Sequence, residues 1–331
     1  MLVRFVTPIA ESIRTTLTVD LSAFLKGFPM DRSVLPAPPG SVPEWGAELL
    51  DLDAYLARIN YSGPRTPTVE TLRQVHRAHA ATISWEIIDS ALERRMTLDV
   101  PSLQKKIVAD GQGGCCLESN LLFAAALERL GFPLVRHIAR VRRGSSTVRT
   151  RSHVVLLVEA EETTWFADPG FGDESLLEPI EFTDGGIRTV GDWTWRMDHE
   201  NGDWVLRCLH ADGWFDVYST RLEQHFPIDF EMILHFSYVD PRSVFIGHLI
   251  AQRGDEKARY VLRNHVLTTQ YADGSSHQAE LSGDEIVREL RETFGIPVRE
   301  YDAELLRERF GAPLATATAA ATPSPEGSRP R

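Results

Sequence analysis

Apolar positions change their period twice along the chain. Between Leu49 and Ala91 they recur at helical spacing: Leu52, Tyr55, Leu56 and Ile59 form one stripe, and Thr68 with Leu72, Val75, His76 and His79 forms a second. This predicts a small helical lobe. From Leu134 to about Tyr218 the apolar residues alternate or are β-branched in short runs, 134–141, 154–158, 163–167, 194–197 and 204–209, separated by Gly, Asp and Asn. These predict an antiparallel β lobe. After Phe245 come strand-like pieces over 260–267 and 276–281, the latter following an Asp273-Gly274 turn, then a helix over 284–294 closed by Gly295 and Pro297. The expected fold class is α+β in three lobes: helical over 46–131, β over 132–245 and mixed α/β over 246–312.

Both ends break these patterns. Residues 1–45 hold a short apolar stretch and then Pro36, Pro38, Pro39 and Pro43, which predicts a poorly ordered extension and linker; Met30 is an alternative start. Residues 313–331 are rich in Ala, Thr, Pro, Ser, Gly and Arg with little to bury, which predicts a disordered tail. No window approaches the roughly 18 apolar residues of a membrane span. The N-terminus also lacks the layout of a signal peptide, so the expected location is cytoplasmic.

Composition narrows the function classes. With 43% hydrophobic and 25% charged residues the chain is globular rather than fibrous or wholly disordered. Its 47 acidic and 35 basic side chains give a net charge of −12, which opposes nucleic-acid binding. Three cysteines, two of them adjacent, are too few for a disulfide framework. One stretch runs against the overall charge: between Glu128 and Glu159 there is no acidic residue but there are seven arginines, among them Arg149 and Arg151. Arginine forks suit phosphate, so this stretch is a candidate for a phosphate-bearing ligand or an acidic partner, with a solvated strand face as the plain alternative.

The richest chemistry lies in the segment Gly111-Gln112-Gly113-Gly114-Cys115-Cys116-Leu117-Glu118-Ser119-Asn120, followed by a helical run ending at Gly131. Glycines allow a tight turn before a helix, and a thiol in the first turn meets the positive end of the helix dipole, which favours thiolate. Cys116 is the candidate nucleophile, against the alternative of a buried structural thiol. A base is then required. His153 opens the run 154–158, and Asp168 closes the run 163–167. A hairpin turning through Glu159–Glu162 pairs Val158 with Thr163 and His153 with Asp168. That register sets a carboxylate beside the imidazole, as a Cys-His-Asp triad requires. No metal is expected, because Cys115 and Cys116 cannot easily share one ion and no other group has ligand spacing.

These motifs resemble those of the arylamine N-acetyltransferases, whose pattern is Arg-Gly-Gly-aromatic-Cys-aromatic-Glu, a strand-opening His, and Asp-Val-Gly-Phe-Gly. The corresponding residues are Gln112 to Glu118, His153, and Asp168-Pro169-Gly170-Phe171-Gly172, separated by 37 residues from Cys to His and 15 from His to Asp. Weaker matches, including His79 with Trp85-Glu86, extend the resemblance over roughly residues 50–300. It implies a helical bundle, a β-barrel and an α/β lid around a cysteine-protease-like core. It further implies ping-pong acyl transfer from a coenzyme A thioester, with no permanently bound cofactor, to an aromatic amine or hydrazine. Cys116, His153 and Asp168 would be catalytic, and Phe171 and Trp85 would line the acceptor cleft; the basic charge at Arg149 and Arg151 makes those two the candidate contacts for the donor's phosphates. The chain departs from the pattern at Gln112, Cys115, Leu117 and the segment Ser84-Trp85-Glu86-Ile87. Related alternatives are an amide synthase that takes a polyketide chain, with an acyl carrier protein as donor, and a cysteine hydrolase in which water replaces the amine.

Overall fold

Two side-chain caps start the first helices. Asp51 accepts a hydrogen bond from the Ala54 N–H and begins α1 (Leu52–Arg58); Thr68 accepts from the Thr71 N–H and begins α2 (Val69–Thr82). The computed structural model describes residues 45–145 and 147–311. Of the expected extension over 1–45 only Trp45 falls within them, and the expected tail over 313–331 lies outside.

Strand β1 (Trp85–Glu86), the short helices α3 (Ile88–Ala91) and α4 (Val100–Leu103), a π-helical stretch over Gln104–Ala109 and α5 (Cys116–Arg129) complete the first lobe. From Leu117 to Leu127 the sequence of α5 is apolar or small on nearly every side, and the helix is buried all round. Its Leu122, Phe123 and Ala126 share one core with Tyr55, Leu72 and Val75 of the preceding helices and with Val154, Leu156 and Val158 of the β lobe. The first turn of α5 is thereby held at the centre of the protein.

The β lobe is one antiparallel sheet of β2 (Leu134–Val141), β3 (Arg151–Ala160), β4 (Thr163–Ala167), β5 (Ile180–Glu181), β6 (Gly186–Val190), β7 (Trp193–Glu200), β8 (Asp203–His210) and β9 (Gly213–Thr220). The order is β5-β4-β3-β2-β9-β8-β7-β6, and β5 returns beside β6, so the sheet is a nearly closed barrel. Helix α6 (Pro227–Val239) follows, then β10 (Ile250–Gly254), β11 (Ala258–Arg263), β12 (Val266–Tyr271), β13 (Ser276–Glu280), α7 (Gly283–Glu292) and α8 (Glu300–Phe310).

Three expectations need correction. The run over 260–267 is not one strand. Arg263 pairs with Val266 across a turn at Asn264, whose φ of 54° suits an asparagine, and this divides the run into parts of β11 and β12. The second correction concerns the lobe boundaries: β1 pairs with β10, Trp85 opposite Gln252 and Glu86 opposite Ala251, so the sheet of the third lobe begins in the first. A two-residue strand is too short to show a period. The third is the hairpin register between β3 and β4, which bears directly on the candidate site.

Candidate active site

The loop before α5 is shaped by close backbone contact. A Cβ on Gly113 would lie 2.3 Å from the Ser84 carbonyl oxygen, so only glycine fits. Gly114 N–H donates to Ser84 O, and the Glu86 N–H donates to Gly114 O, laying the loop along β1. Arg58 donates to the carbonyls of Ile107 and Gly111 at 2.9 Å and of Gln112 at 3.3 Å. On the inner side Lys106 Nζ lies 2.9 Å from Glu118, 2.8 Å from Asp89 and 3.3 Å from Glu86. Glu118 also accepts the Cys115 N–H at 2.9 Å. Cys115 is consequently the N-cap and Cys116 the first residue of α5. Nothing in the local sequence marks Lys106, because its partners lie 12 to 20 positions away.

Strands β3 and β4 turn through only two residues, Glu161 and Glu162, both left-handed with φ of 51° and 65°. Ala160 therefore pairs with Thr163 and Leu156 with Ala167. The expected four-residue loop through Glu159–Glu162, with His153 directly opposite Asp168, is incorrect. The left-handed pair matches the twist of the strands, which favours the tighter hairpin. The register differs by two residues, an even number, so every side chain keeps its face. Asp168, just beyond β4, reaches His153 diagonally, and His153 Nε2 donates to Asp168 Oδ2 at 2.7 Å.

The carboxylate is fully enclosed. Tyr218 O–H donates to Oδ2 at 2.6 Å, while Asn120 Nδ2 at 2.7 Å and the Gly170 N–H at 3.2 Å donate to Oδ1. The Asp168 N–H in turn donates to His76 Nε2 at 3.2 Å. Burial opposes ionisation of Asp168, but the His153 imidazolium and the hydrogen bonds from His153, Tyr218 and Asn120 outweigh it and hold the carboxyl below its ordinary range. His76 is kept neutral by burial, its pKa lowered to about 4, and so remains an acceptor. Asn120 and Tyr218 were missed by sequence reading. Asn120 had a signal, since it lies one helical turn beyond Cys116; Tyr218, on β9, had none.

Opposite shifts separate the two members of the candidate pair. Burial disfavours a charged His153, yet the Asp168 carboxylate prevails and its pKa rises to about 9. Cys116 falls to about 6 because the Cys115 thiol donates to it and His153 stabilises its thiolate, against the cost of burial. Cys115 itself is pushed well above the ordinary thiol range by burial and stays protonated. His153 Nδ1 is buried and has no hydrogen bond elsewhere. Cys116 Sγ lies 3.7 Å from the Ser152 carbonyl. The result is a thiolate–imidazolium pair in a buried setting.

The Phe171 ring meets His153 edge-on at 4.7 Å and Tyr218 at 4.9 Å. Trp85 is 7% exposed and lies 5.8 Å from Phe245, which stacks on Tyr238 at 5.7 Å; Trp85 belongs to the core cluster against which Phe245, Tyr238 and Cys116 pack. Carboxylates remote in sequence answer much of the Arg-rich stretch: Arg136 pairs with Glu128, Arg142 with Asp216 and Arg143 with Asp173. Arg151 pairs with Glu223 at 2.9 Å, whereas Arg149 is exposed, with its carbonyl bonded to Arg140. Arg140, Arg151 and Arg221 line a recess of about 230 Å³ with Asp203, Ser219 and Thr220.

A family model described as N-acetyltransferase matches residues 68–303. The chain belongs to the arylamine N-acetyltransferase family. It is 32% identical to the arylamine N-acetyltransferase of Escherichia coli (strain K12), over 75% of its own length and 89% of that protein's. Its structure is similar to that of the Nocardia farcinica arylamine N-acetyltransferase, with TM-score 0.76 and 36% identity over 82% of this chain and 98% of the other. A further neighbour is the Mycobacterium marinum arylamine N-acetyltransferase in complex with CoA, with TM-score 0.73 and 27% identity over 79% and 98% of the two chains. Membership makes this chain an acyltransferase with a cysteine-protease-like fold. Among the described residues no helix is long and apolar enough to cross a membrane.

Proposed function

We propose that the chain moves an acetyl or other small acyl group from a coenzyme A thioester to an aromatic amine or hydrazine, through an acyl-Cys116 intermediate. The observation that carries this reading is the buried thiolate–imidazolium pair at the start of α5, backed by a carboxylate that accepts four hydrogen bonds. The Cys116 thiolate attacks the thioester carbonyl, and the coenzyme leaves as a thiol, taking a proton from His153. Neutral His153 then accepts a proton from the attacking amine, and the acyl–sulfur bond breaks to regenerate the Cys116 thiolate. Asp168 holds the imidazole in place and stabilises its charged form.

Phe171, against the imidazole, and Trp85, near Phe245 and Tyr238, supply apolar surface for an aromatic acceptor. Arg151, which lines the recess with Arg140 and Arg221, and the exposed Arg149, whose carbonyl is bonded to Arg140, are suited to the donor's phosphates. No observation favours a carrier-protein donor, an amide synthase or a hydrolase over this reading.

Purified protein mixed with acetyl-CoA should release free coenzyme in step with acetylation of an added aromatic amine, and slowly without it. Release at the same rate with or without amine would instead identify a hydrolase.

A further inference from the structure

Cys208 and His210 are two positions apart on β8, so both side chains leave one face of the strand, and the intervening Leu209 is exposed on the other. Glu174, from the turn that follows Phe171, reaches the same face, its Oε1 3.0 Å from His210 Nε2. One sulfur, one imidazole nitrogen and one carboxylate oxygen thus lie within 4.8 Å of one another, a grouping found once among the described residues. The Glu174 side chain is only 4% exposed, and its two oxygens are divided between His210 and Arg259.

The nearby cation, Arg259, contacts two of the three residues. Arg259 stacks on Trp193 at 3.6 Å, lies 2.8 Å from Glu174 Oε2 and donates to Cys208 Sγ at 3.1 Å. Those are the contacts of an outer partner that orients ligands, and they leave Glu174 Oε1 and His210 Nε2 facing each other. Sulfur, nitrogen and oxygen donors in one cluster suit a borderline-soft ion with three protein ligands and an open fourth position. With Cys208 ionised, the two anionic ligands exceed the single charge of Arg259, so a divalent cation is electrostatically welcome.

We propose that Glu174, Cys208 and His210 form a second site, apart from the nucleophile, that binds a thiophilic divalent cation of the zinc class with water as fourth ligand. Binding forms a metal–sulfur bond and breaks the Cys208 S–H bond, releasing one proton per ion to solvent, with no change of oxidation state. The ion ties the segment that runs on from Asp168 and Phe171 to β8. The sequence pattern hid the site because Cys-x-His supplies only two donors and the third lies 34 positions upstream of Cys208.

The test uses the full chain with Cys116→Ser, which removes the reactive thiol, titrated with cadmium as the spectroscopic probe and with zinc by equilibrium dialysis. The expected result is one equivalent of cadmium with an ultraviolet thiolate charge-transfer band, about one proton released, and a raised melting temperature. Adding Cys208→Ser should abolish the band. His210→Ala, at a partly exposed position that the fold tolerates more readily, should weaken binding at least about tenfold. A band that persists without Cys208, no band in the folded Cys116→Ser protein, or unchanged affinity in His210→Ala would each overturn the proposal.

Discussion

The first turn of α5 has a buried ionic cluster on either side. On one, Lys106, 13% exposed, is surrounded by Glu86, Asp89 and Glu118, and the carboxylates also accept backbone N–H groups of Ile88 and Cys115. On the other, Asp168 holds His153, and His153 faces Cys116. Both take charges out of water, which is unfavourable unless each is answered. Around Lys106 the ammonium is answered three times over and its pKa is driven well above the ordinary value, burial being outweighed by the three carboxylates. Around His153 one nitrogen has no partner other than the Cys116 thiol. A saturated cluster fixes the backbone, whereas a cluster left open at one atom has a proton to give.

The largest effect should follow from removing the open end. Cys116→Ala should eliminate the acyl-enzyme, read by intact-protein mass spectrometry after incubation with acetyl-CoA, while Cys115→Ala retains most of it. An adduct surviving in Cys116→Ala would move the nucleophile to Cys115 and erase the contrast between the two thiols. Asp168→Asn comes next: turnover should fall by about 10³- to 10⁴-fold, because an amide neither holds the imidazolium nor selects its tautomer. Near-normal turnover would detach Asp168 from the chemistry.

Lys106→Met should act through stability instead. Three carboxylates left without their cation should cost about 3–5 kcal/mol, seen as a lower denaturation midpoint, with thiol reactivity retained in the fraction still folded. A rate loss without a stability loss would show that the two clusters are not divided as described. The mildest test is pH. The thiolate forms as pH rises through about 6, and the imidazolium is lost as pH rises through about 9. Alkylation of Cys116 by iodoacetamide should therefore already be near its plateau at neutral pH, about 2.5 to 3 units below where an ordinary thiol levels off. A single titration near the ordinary thiol value would contradict the ion pair.

The two clusters also differ in how far they could be read from the chain. Cys116 is placed by Gly113, Gly114 and a helical run directly after it, all local features, and Asn120 follows from it by one helical turn. His153 and Asp168 were legible as the edges of two β runs, but the turn between them was misjudged because two glutamates in left-handed conformation carry no obvious turn signal. The pair still met, since a two-residue slip preserves the face. Lys106 was invisible: it is one of four lysines on an unremarkable helical stretch, and its partners come from separate elements.

By itself the sequence determined the α+β class, the place of Cys116 at the start of a helix, and the strands over Leu134–Val141 and Thr163–Ala167, because period, glycine position and turn residues act over a few neighbouring positions. Only the tertiary structure decided that β1 would join β10, that Tyr218 would close over Asp168, that Arg151 would meet Glu223, and that Glu174 would reach Cys208 and His210. Those contacts join residues 34 to 167 positions apart. They are selected by burial and charge across the assembled core, and no local pattern records them.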